Sequence, residues 1–421
     1  MICSLVALND VSVVKPIETI RDVLKADTFY KTMIKYSFLL IALFFAACSS
    51  KEKYQVPEEF QHLKNLSVYS ADTKPPKTIS FTKEAIYGNS KEVLIGVMGD
   101  VTVDRLGRIF IADVQKQIVH VFESGGEFID QLGREGRGPS EFGSIKSLQI
   151  RKDNLYAFDF SQNRVNIFSL DTLRSGNTTV LARNRRDYQN LKGAFPSIDE
   201  LYVRDNDTYI AKFISGSSRG YQQWQNVEVK GLLYLLNANG MITSELFEYT
   251  SETRTVLEVL IYPIEDFFGE TLIAVLSDNR IYLAEPDHFL IKVYSPEGIY
   301  QSAFYHPLDK IPLTEESAVK AEVSNMFVKD MNSMDLPENW PVLTDMKIDN
   351  QNRLWIATTV EDMKVYEWWV LEETGELITK FEWPRDQPIQ EIKNGYLYSK
   401  KTDEETDTEF VAKYRIELTE R

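Results

Sequence analysis

Beyond residue 77 the chain runs in short stretches where apolar and aromatic residues alternate with polar ones, each stretch entered through a turn of Asp, Asn or Gly. A period of two sends successive side chains to opposite faces of a sheet, so these stretches predict strands. The clearest copy is Asp104-Arg105-Leu106-Gly107-Arg108-Ile109-Phe110-Ile111-Ala112-Asp113. The pattern returns at 152–159, 205–211, 278–285 and 349–357, and more weakly at 393–398. With Arg108, Asn154, Asp207, Arg280, Arg353 and Tyr396 as equivalent points, the spacings are 46, 53, 73, 73 and 43 residues. Periods of about 40–50 residues suit one four-stranded propeller blade each, and the two long spacings require insertions. A second hairpin follows in several units: 118–122 turns at Ser124-Gly125-Gly126-Glu127 into 128–132, 290–294 turns at Ser295-Pro296-Glu297-Gly298, and 368–371 turns at 372–376 into 377–381.

The first insertion is expected as a long hairpin and loop over about 215–263. The second, 307–341, holds the one helix signal after residue 48, with Thr314 placed as an N-cap and Glu315-Glu316 at the positive end. After Tyr396 too few residues remain for a full blade, so the segment around Thr78-Ile79-Ser80-Phe81-Thr82 is expected to supply the missing strand and seal the ring. The predicted fold is all-β, a six-bladed β-propeller over 78–418, closed by an N-terminal strand and carrying one helical insertion.

The unit from Val101 to Leu132 resembles NHL-type repeats, and Gly133-Arg134-Glu135-Gly136-Arg137-Gly138-Pro139-Ser140-Glu141-Phe142 resembles the loop between blades of bacterial six-bladed β-propeller lipoproteins. The resemblance covers about residues 78–418, most strongly in the first unit. It implies a six-bladed ring and a cell-envelope address, and no particular reaction.

The N-terminal region has a different grammar. Lys31 and Lys35 precede the ten-residue apolar run Phe38–Ala47, which ends in Ala46-Ala47-Cys48-Ser49-Ser50. Ten residues suit a signal-peptide core and fall short of the ~20 that span a bilayer. Small residues before a cysteine resemble a lipobox, although Phe45 stands where a smaller aliphatic side chain is usual; Cys48 is therefore the expected lipidation site. Residues 1–47 are expected to be an upstream extension and signal peptide, with translation starting at Met33 because acidic residues crowd the stretch before it. Residues 48–77 are expected to form a lipidated, polar tether. Processing would remove Cys3, leaving no disulfide to form and stability to the core.

Charge narrows the partners. With 47 Lys plus Arg against 63 Asp plus Glu, the net charge is −16, the wrong sign for gripping a polyphosphate, so no nucleic acid is expected. Catalytic signatures are sparse. The four histidines (His62, His120, His288, His306) show no zinc spacing, and no Gly-x-Ser-x-Gly elbow occurs. Asp-Asn pairs at 153–154, 205–206, 278–279 and 349–350 offer oxygen ligands, but they fall one per unit at hairpin turns, where local hydrogen bonds favour the same residues. No metal, cofactor or catalytic residue is assigned. Arg134, Glu135 and Arg137 are the candidate binding residues, because guanidinium groups at a rim suit planar anions; a plain turn role for the loop's glycines competes with that reading. Trp340, Trp355, Trp368, Trp369 and Trp383 cluster in the fifth unit, but adjacent strand residues face opposite ways, which places at least one of Trp368 and Trp369 between blades.

These features predict a monomeric, lipid-anchored envelope propeller, in the periplasm or at the cell surface, that binds a peptide, glycan or partner protein without catalysis. The alternative is a metal-assisted, lactonase-like hydrolase or lyase with carboxylates around the channel, which rests on fold analogy alone.

Overall fold

Strand after strand in this chain carries apolar side chains on both of its faces, and such sheets are stable only when covered on both sides. A computed structural model of the chain shows how this is met. It describes residues 56–71, 73–90, 93–182, 191, 194–215, 221–258, 260–262, 265–323, 328–329, 331–333 and 335–421. The signal segment, Cys48 and the start of the tether lie outside these residues.

Two early strands, β1 (Leu66–Val68) and β2 (Lys77–Tyr87), join sheets formed much later in the chain. Blade 1 comprises β3 (Met98–Val103), β4 (Ile109–Asp113), β5 (Ile118–Phe122) and β6 (Phe128–Leu132). Blade 2 comprises β7 (Ile145–Arg151), β8 (Asn154–Asp159), β9 (Arg164–Ser169) and β10 (Ser175–Val180). In blade 3, β11 (Ala194–Val203) and β12 (Tyr209–Ser215) are followed by β13 (Tyr221–Leu236), β14 (Ile242–Glu258) and the short β15 (Leu260–Tyr262). A short helix, α1 (Glu265–Phe268), leads to blade 4: β16 (Leu272–Val275), β17 (Ile281–Ala284), β18 (Leu290–Tyr294) and β19 (Tyr300–Tyr305). Helix α2 (Glu315–Lys320) precedes blade 5: β20 (Leu343–Ile348), β21 (Leu354–Thr359), β22 (Val365–Leu371) and β23 (Leu377–Pro384). Blade 6 is β24 (Ile389–Lys393), β25 (Tyr396–Thr402), β26 (Glu409–Glu420) and β2. The six-bladed ring expected from the spacing is present.

Each junction between blades holds its own hydrophobic cluster, and the two-residue period assigns side chains to them. In β4, Phe110 and Ala112 pack toward blade 2, while Ile109 and Ile111 pack toward blade 6. In β22, Trp369 and Leu371 join the blade 4–5 cluster and Trp368 and Val370 the blade 5–6 cluster. All five tryptophans of this unit are buried, so none offers an open stacking face.

The ring closes where the sequence predicts. Antiparallel pairing of β2 with β26 runs from Lys77↔Glu420 to Tyr87↔Val411, and Phe81 packs on Phe381 and Trp383 with centroid distances of 4.8 and 5.2 Å. The first insertion is the long β13–β14 hairpin. In the second, Thr314 caps α2 through a reciprocal capping box with Ser317. A small core of Phe267, Ala318, Met331, Trp340 and Met363 fastens that insertion to the ring.

One expectation needs correction. Polar composition placed the tether as far as residue 77, but from Val56 onward the chain lies on blade 4. Phe60 packs with Leu290, Ala303 and Tyr305, and β1 pairs in parallel with β19 as a fifth strand. The apolar anchors Val56, Phe60, Leu63 and Leu66 are spread thinly among charges, so the average composition hid them.

Candidate functional site

The six innermost strands, β3, β7, β11, β16, β20 and β24, surround a central cavity of about 820 Å³. An innermost strand has one hydrogen-bonding edge facing the axis, and those unpaired backbone groups need partners. Side chains from the neighbouring blade supply them. Asp100 of β3 accepts from Leu148 N of β7 at 2.8 Å, and Gln149 of β7 accepts from Val203 N of β11 at 2.8 Å while donating to Leu201 O. Arg151 Nε donates to Val203 O at 2.9 Å.

The rest of the lining mixes apolar side chains such as Ile150, Ile273 and Met346 with charged ones, and several of its carboxylates face a cation. Lys146 and Lys212 meet Asp199 at 3.0 and 3.2 Å, and Lys212 also holds Glu200 at 2.6 Å. Lys347 holds Asp345 at 2.9 Å. Burial outweighs the backbone N–H groups of Leu148 and Val101 and pushes the Asp100 carboxyl above the usual range. Glu391 is pushed up to about 7, by burial first, with Asp100 adding to the rise and Lys393 opposing it. Burial also lowers the Arg151 guanidinium. Such shifts arise where charged groups share an enclosed space. Among the described residues, no group of three or more His, Cys, Asp or Glu is arranged to hold a metal ion.

The Asp-Asn turns have structural partners. Asp349 Oδ1 accepts from Gln351 N and Arg353 N at 2.8 and 3.0 Å, while its Oδ2 receives Arg353 Nε at 2.6 Å and Trp355 Nε1 at 2.9 Å. Asp104 repeats this on Leu106 N, Arg108 N and Arg108 Nε. The turns also stitch neighbouring blades. Asp205 N donates to Asn279, Ser277 Oγ to Asn352, Asn394 N to Asn350 and Asn394 Nδ2 to Asp104 O, at 2.9–3.3 Å. Tyr156 OH reaches Asp207 at 2.8 Å, and Arg105 pairs with Asp153 at 3.3 Å. Every blade junction is thereby crossed on this face.

Arg134, Glu135 and Arg137 sit on the connection from β6 to β7, away from the channel lining. Arg134 is occupied by Glu141, with Nη2 to Oε1 at 2.6 Å; Arg137 gives its carbonyl to Arg164 Nη1 at 3.0 Å; the Glu135 backbone bridges to Phe142. Gly133, at φ +75°, lies against the Phe142 ring, where a Cβ would collide. The Gly138 N–H and then Arg134 hold the Glu141 carboxyl below its ordinary range. The four histidines do not converge: His62 is exposed, His120 faces Asp113, His288 lies against Glu59 and Phe60, and His306 stacks on Tyr69. Sequence reasoning missed the channel residues because no spacing motif links strands 50 or more residues apart. The signal available was a polar residue at alternate positions of several first strands: Asp100 and Thr102, Ser147 and Gln149, Asp345 and Lys347.

A family model described as a 6-bladed beta-propeller, DUF5128, matches residues 89–339, and the chain belongs to that family. No curated protein matches the sequence. Among solved structures, a member of the DUF4221 family from Bacteroides vulgatus is similar at 8% identity and a TM-score of 0.50, over 83% of this chain and 100% of that one. A Bacteroides fragilis protein described as exported is 12% identical at a TM-score of 0.47, over 84% and 100% of the two chains. Virginiamycin B lyase from Staphylococcus aureus is 13% identical at a TM-score of 0.36, over 80% and 99%. At these identities the likeness is one of fold.

Proposed function

We propose that this six-bladed propeller is a noncatalytic binding protein of the bacterial cell envelope, lipid-anchored through Cys48, with its ring in the periplasm or at the cell surface. The observation that carries the binding reading is the lining of the central channel, where Asp199, Glu200 and Asp345 are set against ammonium groups and Asp100 against a backbone N–H of the next blade. A polar cavity of about 820 Å³ with dispersed charge is suited to holding a small polar ligand in one orientation. A metal-assisted hydrolase or lyase would need several carboxylates converging on one point, and among the described residues no such group is arranged. The address rests on the basic, apolar, small-residue order ending at Cys48. The exposed Arg134 and Arg137 side chains are proposed as a secondary contact for an anionic group at the rim.

Calorimetric titration of the full, detergent-extracted chain with small peptides and oligosaccharides, run beside turnover assays on lactones with added Ca²⁺ or Zn²⁺, tests the reading. Saturable heat without turnover is expected; turnover abolished by chelator would contradict it. Replacing Cys48→Ser is expected to move the protein from the detergent phase to the aqueous phase, and retention in detergent would contradict lipidation at that residue.

A further inference from the structure

Antiparallel alternation sends all six innermost strands the same way, from the face carrying the insertions to the face carrying the Asp-Asn turns. Position along a strand is therefore depth in the channel. Contacts between blades fix the levels, with Lys146 beside Asp199, Asp100 beside Leu148 and Arg151 beside Val203. On this scale the two ends differ in charge. Toward the insertion face lie Asp100, Asp199, Glu200 and Asp345, with Glu252 and Glu270 beyond them, and these six carboxylates outnumber the three ammonium groups of Lys146, Lys212 and Lys347, the last paired with Asp345. At the turn face, Arg151 closes β7 and Lys393 closes β24. Arg151 spends its Nε on a carbonyl, and Glu391, two residues before Lys393 on β24, attracts both cations without a contact close enough for an ion pair, so Arg151 and Lys393 together outnumber it. Ser147, one step from Lys146 and so within the insertion end, has its Oγ buried in the wall with no hydrogen-bond partner among the described residues.

We propose that the channel takes a short zwitterionic peptide, extended along the axis, with its terminal carboxylate at the Arg151 and Lys393 end and its ammonium among the carboxylates of the insertion end. This rests on the binding reading above and names its ligand class. Length follows from the strand rise: the five steps from Lys146 to Arg151 cover about 17 Å at ~3.3 Å each. A free peptide spans at most ~3.3–3.6 Å per residue, so four or five residues reach from one pole to the other. An apolar ligand would leave both poles desolvated without recompense.

The test is titration calorimetry of the full chain at low salt with penta-alanine, its N-acetyl form and its C-terminal amide. Penta-alanine is expected to bind, with the amide and the acetylated form each at least tenfold weaker. Arg151→Gln is expected to weaken penta-alanine about tenfold and leave the amide unchanged, in a variant whose thermal melt matches the wild type. The comparison among ligands on the wild-type protein stands even if the variant fails to fold. Equal binding of all three peptides overturns the proposal, as does no binding by any of them. Equal binding would keep the binding reading and discard the charged poles; with no peptide bound, saturable binding of an oligosaccharide would keep the binding reading and discard the peptide, whereas turnover would discard both.

Discussion

Single side chains in this protein do the joining that a sheet edge cannot do for itself. Asp349 is the clearest instance, because one nearly buried carboxylate accepts from two backbone N–H groups, a guanidinium and an indole. Asp349→Ala would leave Arg353 and Trp355 without their acceptor, and breaking a buried pair of this kind costs about 3 kcal/mol. Urea denaturation is expected to show that loss, with Asp349→Asn falling between the variant and the wild type. His306 gives a pH signature. Its Nε2–H donates to Gly375 O at 2.9 Å, its Nδ1 is buried without a partner among the described residues, and burial pushes its pKa down to about 4. The unfolded chain protonates this histidine near 6.5, so between about 6.5 and 4 the unfolded state binds the extra proton. The contribution of His306 to stability is therefore complete above about pH 6.5 and falls away as the pH drops, by up to about 3 kcal/mol. His306→Phe is expected to flatten that part of the stability profile, and an unchanged slope would assign the acid sensitivity to other groups. The Asp-Asn turns were legible in the sequence as turns, since Asp and Asn favour such positions. Their second role, binding turn to turn around the ring, was not, because each contact joins residues tens of positions apart.

At the level of elements, the predicted strands were readable wherever two signals agreed, an Asp- or Gly-bearing turn and a two-residue alternation. The helix at Glu315–Lys320 was readable from its cap. β1 escaped because it pairs in parallel, with no turn to announce it and few apolar residues to mark it. The closing strand carries a measurable load. Phe81 lies between Phe381 and Trp383, whereas Phe128, also on a strand, is 36% exposed at the outer edge of blade 1. Phe81→Ala is expected to cost about 3 kcal/mol and Phe128→Ala under about 1 kcal/mol, by the same denaturation measurement. Equal costs would mean that the β2–β26 seal contributes no more than an outer edge does.

The whole molecule is a ring of six sheets whose inner edges are tied by side chains and whose axis is left as a polar channel. Periodicity reports which faces of a strand are buried, so the ring was visible from sequence. It does not report which residues of different blades share a level, so the channel was visible only in three dimensions. Glu391 shows what the channel adds: burial raises its carboxyl to about 7, so above that pH the folded protein must ionise a group that resists it. Glu391→Gln is accordingly expected to stabilise the protein at pH 8 and not at pH 4, as read by thermal melts. The opposed charge of the two channel ends is the claim on which the proposed ligand depends. Its most direct measurement is a crystal structure of the protein soaked separately in bromide and in caesium, with the ions located by anomalous scattering. Bromide is expected at the Arg151 and Lys393 end, and caesium at the carboxylates of the insertion end. Bromide and caesium at the same end, or an empty channel in both soaks, would contradict the account.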